Sequence, residues 1–133
     1  MKISENKLSA AVLVLAVLTA IGVKTLFGPC IHDDGSVGSC YQAGQAVFGT
    51  ALVLAGEGFL CLFIKEEKVR AGLQLAMTCT AVLGMIFPGI LIRLCGMSTM
   101  RCRALMRPAV TILFAIAGIL ALAGAVRTLI RNR

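Results

Sequence analysis

The chain has 133 residues, of which 59% are hydrophobic, and its formal net charge is +7. Soluble domains usually contain about 45–50% apolar residues, so the composition argues against a water-soluble fold and indicates a membrane protein. The positive charge does not point to nucleic acid, because the cations lie beside apolar runs without interleaved aromatic residues. Anionic lipid headgroups and membrane topology explain these cations better.

Four apolar runs predict four membrane-spanning helices, because about 20 apolar residues cross a hydrocarbon core of about 30 Å. The predicted spans cover residues 8–28, 43–64, 71–92 and 108–126. The first span includes Lys24, whose long side chain can extend toward the headgroups. Pro88 predicts a kink in the third span, and Pro108 fits the start of the fourth. We therefore predict one all-α domain over residues 1–133, a four-transmembrane-helix bundle.

The second predicted span contains an ionisable residue, Glu57. A charged side chain near the bilayer centre costs about 2.5–3.5 kcal/mol on a translocon-based scale, so such groups normally face the bundle interior. A neutral Glu57 would form a hydrogen bond with Gln45, Gln74 or Thr78. The alternatives are an ion pair with a cation of a partner protein, and a proton or substrate relay.

Small residues predict where the helices approach one another most closely. In the second span these residues are Gly44, Gly49, Gly56 and Gly58, and in the fourth they are Ala117, Ala121 and Ala125.

Two short connections carry cysteine pairs. Cys30 and Cys40 close the ends of the first connection, and Cys95 and Cys102 close those of the second. Each half of the chain thus contains span, cysteine, loop, cysteine and span, which predicts two helix–loop–helix halves. Extracytoplasmic thiols oxidise readily, and each loop is short enough to join its own pair, so we predict structural disulfides. All three pairings of four cysteines stay open.

The same sulfur atoms allow two other kinds of site. Membrane thiol oxidases also have four spans and two outer cysteine pairs, and Arg101 and Arg103 would favour a thiolate at Cys102, although the chain has no Cys-x-x-Cys. Sulfur donors also suit Cu(I), and a histidine, methionine or cysteine can ligate haem iron. The candidate metal ligands are Cys95, Met97, Met100, Cys102 and His32.

The motif Cys95-Gly96-Met97-x-x-Met100-x-Cys102, followed by Arg103 and Pro108, resembles a pattern in a known family. Over essentially its whole length the chain is similar to an uncharacterised family of small bacterial and archaeal four-span proteins, domain of unknown function 4418. The resemblance implies four spans and paired cysteine loops. The first loop of that family tends to carry Met-x-Cys-His, whereas this chain has Gly38-Ser39-Cys40-Tyr41, which weakens any site that needs a ligand at position 41.

The distribution of cations predicts the orientation in the membrane. Of the 13 lysines and arginines, eight lie on the side that holds both termini and the middle turn. The positive-inside rule therefore favours cytoplasmic termini and places both cysteine loops outside. Apart from Lys24, the outer cations surround the second loop, namely Arg93, Arg101, Arg103 and Arg107.

Taken together, these features predict a non-enzymatic, multi-pass protein of the cell membrane. It would be an accessory subunit whose disulfide-held outer loops contact a protein partner in a larger assembly, such as a transporter. Its partners would be membrane lipid and that protein, without nucleic acid and without a cofactor. The alternative is a thiol–disulfide redox protein, or a protein that binds Cu(I) or haem through the outer loops.

Overall fold

The structure, a computed structural model, describes residues 2–25, 39–87, 90–91 and 106–133, in which there are four α-helices and no strand. The helices are α1 (Lys2–Thr25), α2 (Ser39–Phe63), α3 (Glu67–Ile86) and α4 (Arg107–Arg131). Each is long enough and apolar enough to cross a membrane. The predicted all-α bundle of four membrane-spanning helices is therefore confirmed.

The helices extend beyond the apolar runs at their polar ends. α1 begins at Lys2, α3 at Glu67, and α4 continues to Arg131, because a helix can carry polar turns in the headgroup region that a count of apolar residues leaves out. Pro108 lies in the first turn of α4, as predicted. α3 ends at Ile86 rather than near residue 92, and the kink predicted at Pro88 lies outside the described residues.

The four helices form a ring in which each helix packs on two neighbours. The largest contacts join α1 with α2 and α3 with α4, and smaller ones join α1 with α4 and α2 with α3. This is the arrangement expected of two helix–loop–helix halves. The start of α1, the connection at residues 64–66 and the end of α4 meet at one end of the ring, which we call the terminal end. At the opposite end α1 ends and α2 begins, and α3 ends and α4 begins.

The bundle has small side chains inside and larger apolar side chains outside. Its core includes the three predicted alanines of α4, which are at most 2% exposed. Isoleucine, leucine, valine and phenylalanine side chains are exposed on the helices, including Ile112, Ile119, Leu52, Phe59, Val82 and Leu18. Lipid is as apolar as these side chains, so membrane helices associate by close packing of small residues. The exposed apolar surface therefore contacts lipid.

Two glycines set the distance between α3 and α4. A Cβ atom added at Gly84 would lie 2.7 Å from the Phe114 ring, and one at Gly124 would lie 2.7 Å from the amide nitrogen of Gln74. Both distances are far below van der Waals contact. Each glycine thus makes room for one buried side chain of the opposite helix.

The glycines of α2 behave less uniformly than their sequence predicts. A Cβ atom at Gly58 would lie 3.4 Å from the Leu13 backbone of α1, which fits the predicted close approach. At Gly49 and Gly56 a Cβ atom would meet nothing within 4 Å. The predicted close contact is therefore wrong at these two positions, because they lie on the exposed side of α2.

Candidate functional site

Glu57 lies within the spanning part of α2, between its middle and its terminal end. With a rise of about 1.5 Å per residue, it is about 9 Å along the helix from Phe63. The Thr80 hydroxyl of α3 lies 3.2 Å from Glu57 Oε1 and 3.0 Å from the Ala76 carbonyl oxygen. Glu57 Oε2 is buried and has no hydrogen-bond partner among the described residues. We call Glu57 and Thr80 the Glu57 site.

A single hydroxyl proton cannot serve both acceptors of Thr80 fully. If Glu57 is protonated, its own O–H can donate to Thr80 Oγ1, and Thr80 can then donate to the Ala76 carbonyl. Glu57 Oε1, the Thr80 hydroxyl and the Ala76 carbonyl are then paired, and Glu57 Oε2 is left as a buried acceptor without a partner among the described residues. The geometry can therefore hold a carboxylic acid or an amide equally well.

The predicted partners of Glu57 have other contacts. The Thr78 hydroxyl donates to the Gln74 carbonyl at 3.0 Å. Gln74 itself is 1% exposed and receives a hydrogen bond from the Thr128 hydroxyl of α4 at 3.4 Å. These two residues thus belong to α3 and its contact with α4. The prediction that one of them pairs with Glu57 is wrong, because the register of α2 against α3 brings Thr80 to Glu57 instead.

Gln45 lies near the opposite end of the bundle. Its side-chain oxygen accepts a hydrogen bond from Lys24 Nζ at 3.4 Å, and the same ammonium lies 4.7 Å from the centre of the Phe48 ring. Both Lys24 and Gln45 are exposed. Lys24 is in the last turn of α1, so its contact with Gln45 lies where α1 ends. Gln45 is therefore too far along α2 to contact Glu57.

A cluster of charges joins three helices at the terminal end, and we call Glu5, Asn6, Glu67, Arg70 and Arg131 the terminal cluster. Glu5 is 5% exposed, and its carboxylate lies 3.4 Å from Arg131 Nη1 and 4.0 Å from Arg70 Nη1. Arg131 also pairs with Glu67, and Arg70 donates to Asn6. Two carboxylates thus balance two guanidinium groups where α1, α3 and α4 meet.

The sequence interpretation missed this cluster, since Glu5 precedes the first predicted span and the arginines at this end were counted only as topology signals. A signal was nevertheless present in the spacing. Glu5 continues the buried side of α1, and the positions on this side recur every three or four residues as one helix face does. They are Ser9, Val12, Ala16, Ala20 and Val23. An acidic residue on that face predicts a buried carboxylate with a cationic partner.

Two cysteines within the helices are unpaired thiols. Cys61 is buried, and the Ser9 hydroxyl of α1 lies 3.3 Å from its sulfur. Cys79 is exposed on α3.

Most of the predicted loop residues lie outside the part of the chain that the structure describes. These residues are Cys30, His32, Cys95, Met97, Met100, Cys102, Arg93, Arg101 and Arg103. Cys40 is in the first turn of α2, and Arg107 begins α4 and is exposed. Within the described ranges no three His, Cys, Asp or Glu residues are placed to hold a metal ion. The disulfide, redox and metal interpretations of the loops stay predictions.

Four helices able to span a bilayer, packed through small residues, define a small multi-pass membrane protein. Residues 12–128 match the model of a family described as a domain of unknown function, DUF4418, and the chain belongs to this family. The family resemblance found in the sequence is therefore confirmed. No curated protein and no solved structure matches the chain.

Proposed function

We propose that this protein is a non-enzymatic accessory subunit of a larger membrane assembly, and that the Glu57 site contacts a membrane-spanning helix of a partner protein. The observation that carries this proposal is the buried Glu57 Oε2, which has no partner among the described residues. A buried polar group without a hydrogen bond costs about 1–3 kcal/mol. Because Oε2 itself is buried while the residue as a whole is half-buried, the carboxyl group would turn toward the surface of α2 to meet a donor on a partner helix, and that bond would remove this cost.

The surroundings of Glu57 suit such a contact. The side chain is only half-buried, and Val53 and Leu60 on the same helix are exposed. These side chains provide the apolar surface against which a second helix can pack, while the carboxyl group provides a single directional bond. Hydrogen bonds between membrane helices average about 0.6 kcal/mol, so this bond chiefly selects the partner and its register.

A photoreactive amino acid at position 60 tests this proposal, with the same amino acid at the exposed position 119 of α4 as the control. In native membranes we expect position 60 to crosslink to one other membrane protein, and position 119 to crosslink to lipid only. Glu57→Gln should keep the crosslink, because the amide preserves size and hydrogen bonding. Glu57→Leu should lower the yield roughly threefold, the factor that corresponds to one interhelical bond.

Two outcomes contradict this proposal. An unchanged crosslink in Glu57→Leu would show that Glu57 does not contribute to the contact. A crosslink from position 60 to a second copy of the same chain would indicate that this surface forms a homo-oligomer, and not a contact with a different protein.

We further propose that the cysteine pairs hold the outer connections as disulfides. The packing of α1 against α2 and of α3 against α4 supports local pairing, since each connection returns the chain to a neighbouring helix. A disulfide needs about 4.4–6.8 Å between Cα atoms. Cys30 with Cys40, and Cys95 with Cys102, are the pairs that this topology favours.

Alkylation tests the disulfides in a chain that carries Cys61→Ala and Cys79→Ala, so that only the four outer cysteines can react. As structural bridges, they should resist labelling in native membranes and react after reduction. Labelling after chelation alone would indicate the metal site, and Met97→Leu with Met100→Leu should then weaken metal retention. A mixed disulfide with another protein after Cys102→Ser would indicate the redox site. Rapid labelling of untreated membranes would contradict the bridges.

A further inference from the structure

A lateral groove opens between α3 and α4 at the terminal end of the bundle, with a volume of about 530 Å³. Its lining includes Ala71, Val126, Leu129 and Ile130, together with Lys68 and Arg133. Ala71 is 3% exposed, whereas Leu129 and Ile130 are 49% and 68% exposed. A small residue thus forms the floor of the groove, and its wall continues into the lipid-facing surface of α4.

The rim of this groove is cationic. Lys68 and Arg133 are both exposed, and no acidic residue lines the groove. Among the described residues neither cation takes part in a salt bridge. Arg70 and Arg131 differ in this respect, because the carboxylates of the terminal cluster balance them. Lys68 and Arg133 therefore place two cationic side chains, neither of them paired with an acidic side chain, beside an apolar surface.

We propose that this groove binds an anionic phospholipid. The phosphate would lie between Lys68 and Arg133, and an acyl chain would lie along Val126 and Leu129, above Ala71. The combination of a cationic rim with an apolar wall fits a lipid and not a free anion, which would leave the wall unused. The groove also lies where α3 begins and α4 ends, at the level of the headgroups, where lipid is present on every side.

The test uses the full chain, purified and reconstituted in bilayers of equal parts phosphatidylcholine and phosphatidylglycerol. Native mass spectrometry then measures which lipid stays bound. We expect the chain to retain phosphatidylglycerol preferentially. The variant Lys68→Gln with Arg133→Gln should lower that preference by roughly fivefold for each cation. The matched control, Lys7→Gln with Lys65→Gln, removes the same charge at the same end but outside the groove, and it should keep the preference.

Three results would overturn the assignment. An equal loss of preference in the control variant would show a diffuse attraction to charge and no binding site. Displacement of the lipid by inorganic phosphate or by glycerophosphoglycerol, the deacylated headgroup, would show that the acyl chain contributes nothing. A photoreactive group at position 130 that captures an acidic protein segment in native membranes, and no lipid, would assign the groove to a protein partner. All the substituted side chains are exposed, so the variants should fold.

Discussion

The contact between Gly84 and Phe114 shows how single residues determine the spacing of these helices. Phe114 is 1% exposed, and its ring occupies the space that any side chain at position 84 would need. Because a close-packed interior accommodates additional atoms poorly, one methyl group at this position forces a shift of the ring or of a helix. The spacing of α3 and α4 therefore depends on the absence of a side chain.

We expect Gly84→Ala to lower the free energy of unfolding by about 1–3 kcal/mol, the usual cost of overpacking. The measurement is unfolding in mixed micelles with increasing amounts of a denaturing detergent. Gly49→Ala is the matched control and should not destabilise the protein, since a Cβ atom there meets nothing within 4 Å. Adding Phe114→Leu should recover part of the loss. Equal losses at positions 84 and 49 would contradict the proposed role of the ring.

At the scale of single residues, the sequence predicted the chemical type of a site residue better than its position relative to the neighbouring helices. Glu57 is visible as an ionisable residue in an apolar run, and its location in a spanning helix is as predicted. Its partner Thr80 could not be predicted, because the partner depends on the register of α2 against α3. The glycines of α2 show the same limit. A helix that is apolar all round does not encode which side faces its neighbour, so Gly58 and Gly56 look alike in the sequence.

At the scale of secondary-structure elements, the terminal cluster holds the first turns of α1 against α3 and α4. Those turns are polar and would unwind readily if they stood alone in the headgroup region. Glu5 connects them to Arg70 and Arg131 from the other half of the chain. The position of α1 is thus fixed by ion pairs at this end, and by packing along the rest of its length.

We expect Glu5→Ala to lower the free energy of unfolding by about 3 kcal/mol, the lower end of the range for breaking a buried ion pair. The lower end applies because Arg70 keeps Asn6 and Arg131 keeps Glu67. Lys7→Ala, which changes an exposed residue of the same helix, should alter stability by no more than about 0.5 kcal/mol. The same micelle titration measures both variants. Similar effects of the two substitutions would show that the ion pairs do not hold α1.

At the scale of the helices, the apolar runs predicted how many helices there are and of which type. They did not predict where the helices begin and end. The early start of α1 and the late end of α4 consist of turns such as those that contain Glu5 and Arg131. In a hydropathy profile such turns look like loops. Their contribution to the fold arises from ion pairs with distant parts of the chain, which a hydropathy profile does not include.

At the scale of the whole molecule, the structure places both termini and the α2–α3 connection at the same end. The distribution of cations predicts that this end faces the cytoplasm. A reporter that is active only outside the cytoplasm should therefore be silent when it is fused after Arg133. The same reporter fused after Gly35, in a chain shortened to that residue, should be active. Activity of the first fusion and silence of the second would show that the protein has the opposite orientation.

The contact between Glu5 and Arg131 has a consequence for chain connectivity. It brings the first and last helices together, so the ring of four helices is closed and each helix has the same number of neighbours. A circular permutant, with its original ends joined by a short linker and new ends opened at residues 64–66, would retain all four helix–helix interfaces. The order in which the helices follow one another along the chain is therefore separable from the arrangement that they form in the bilayer.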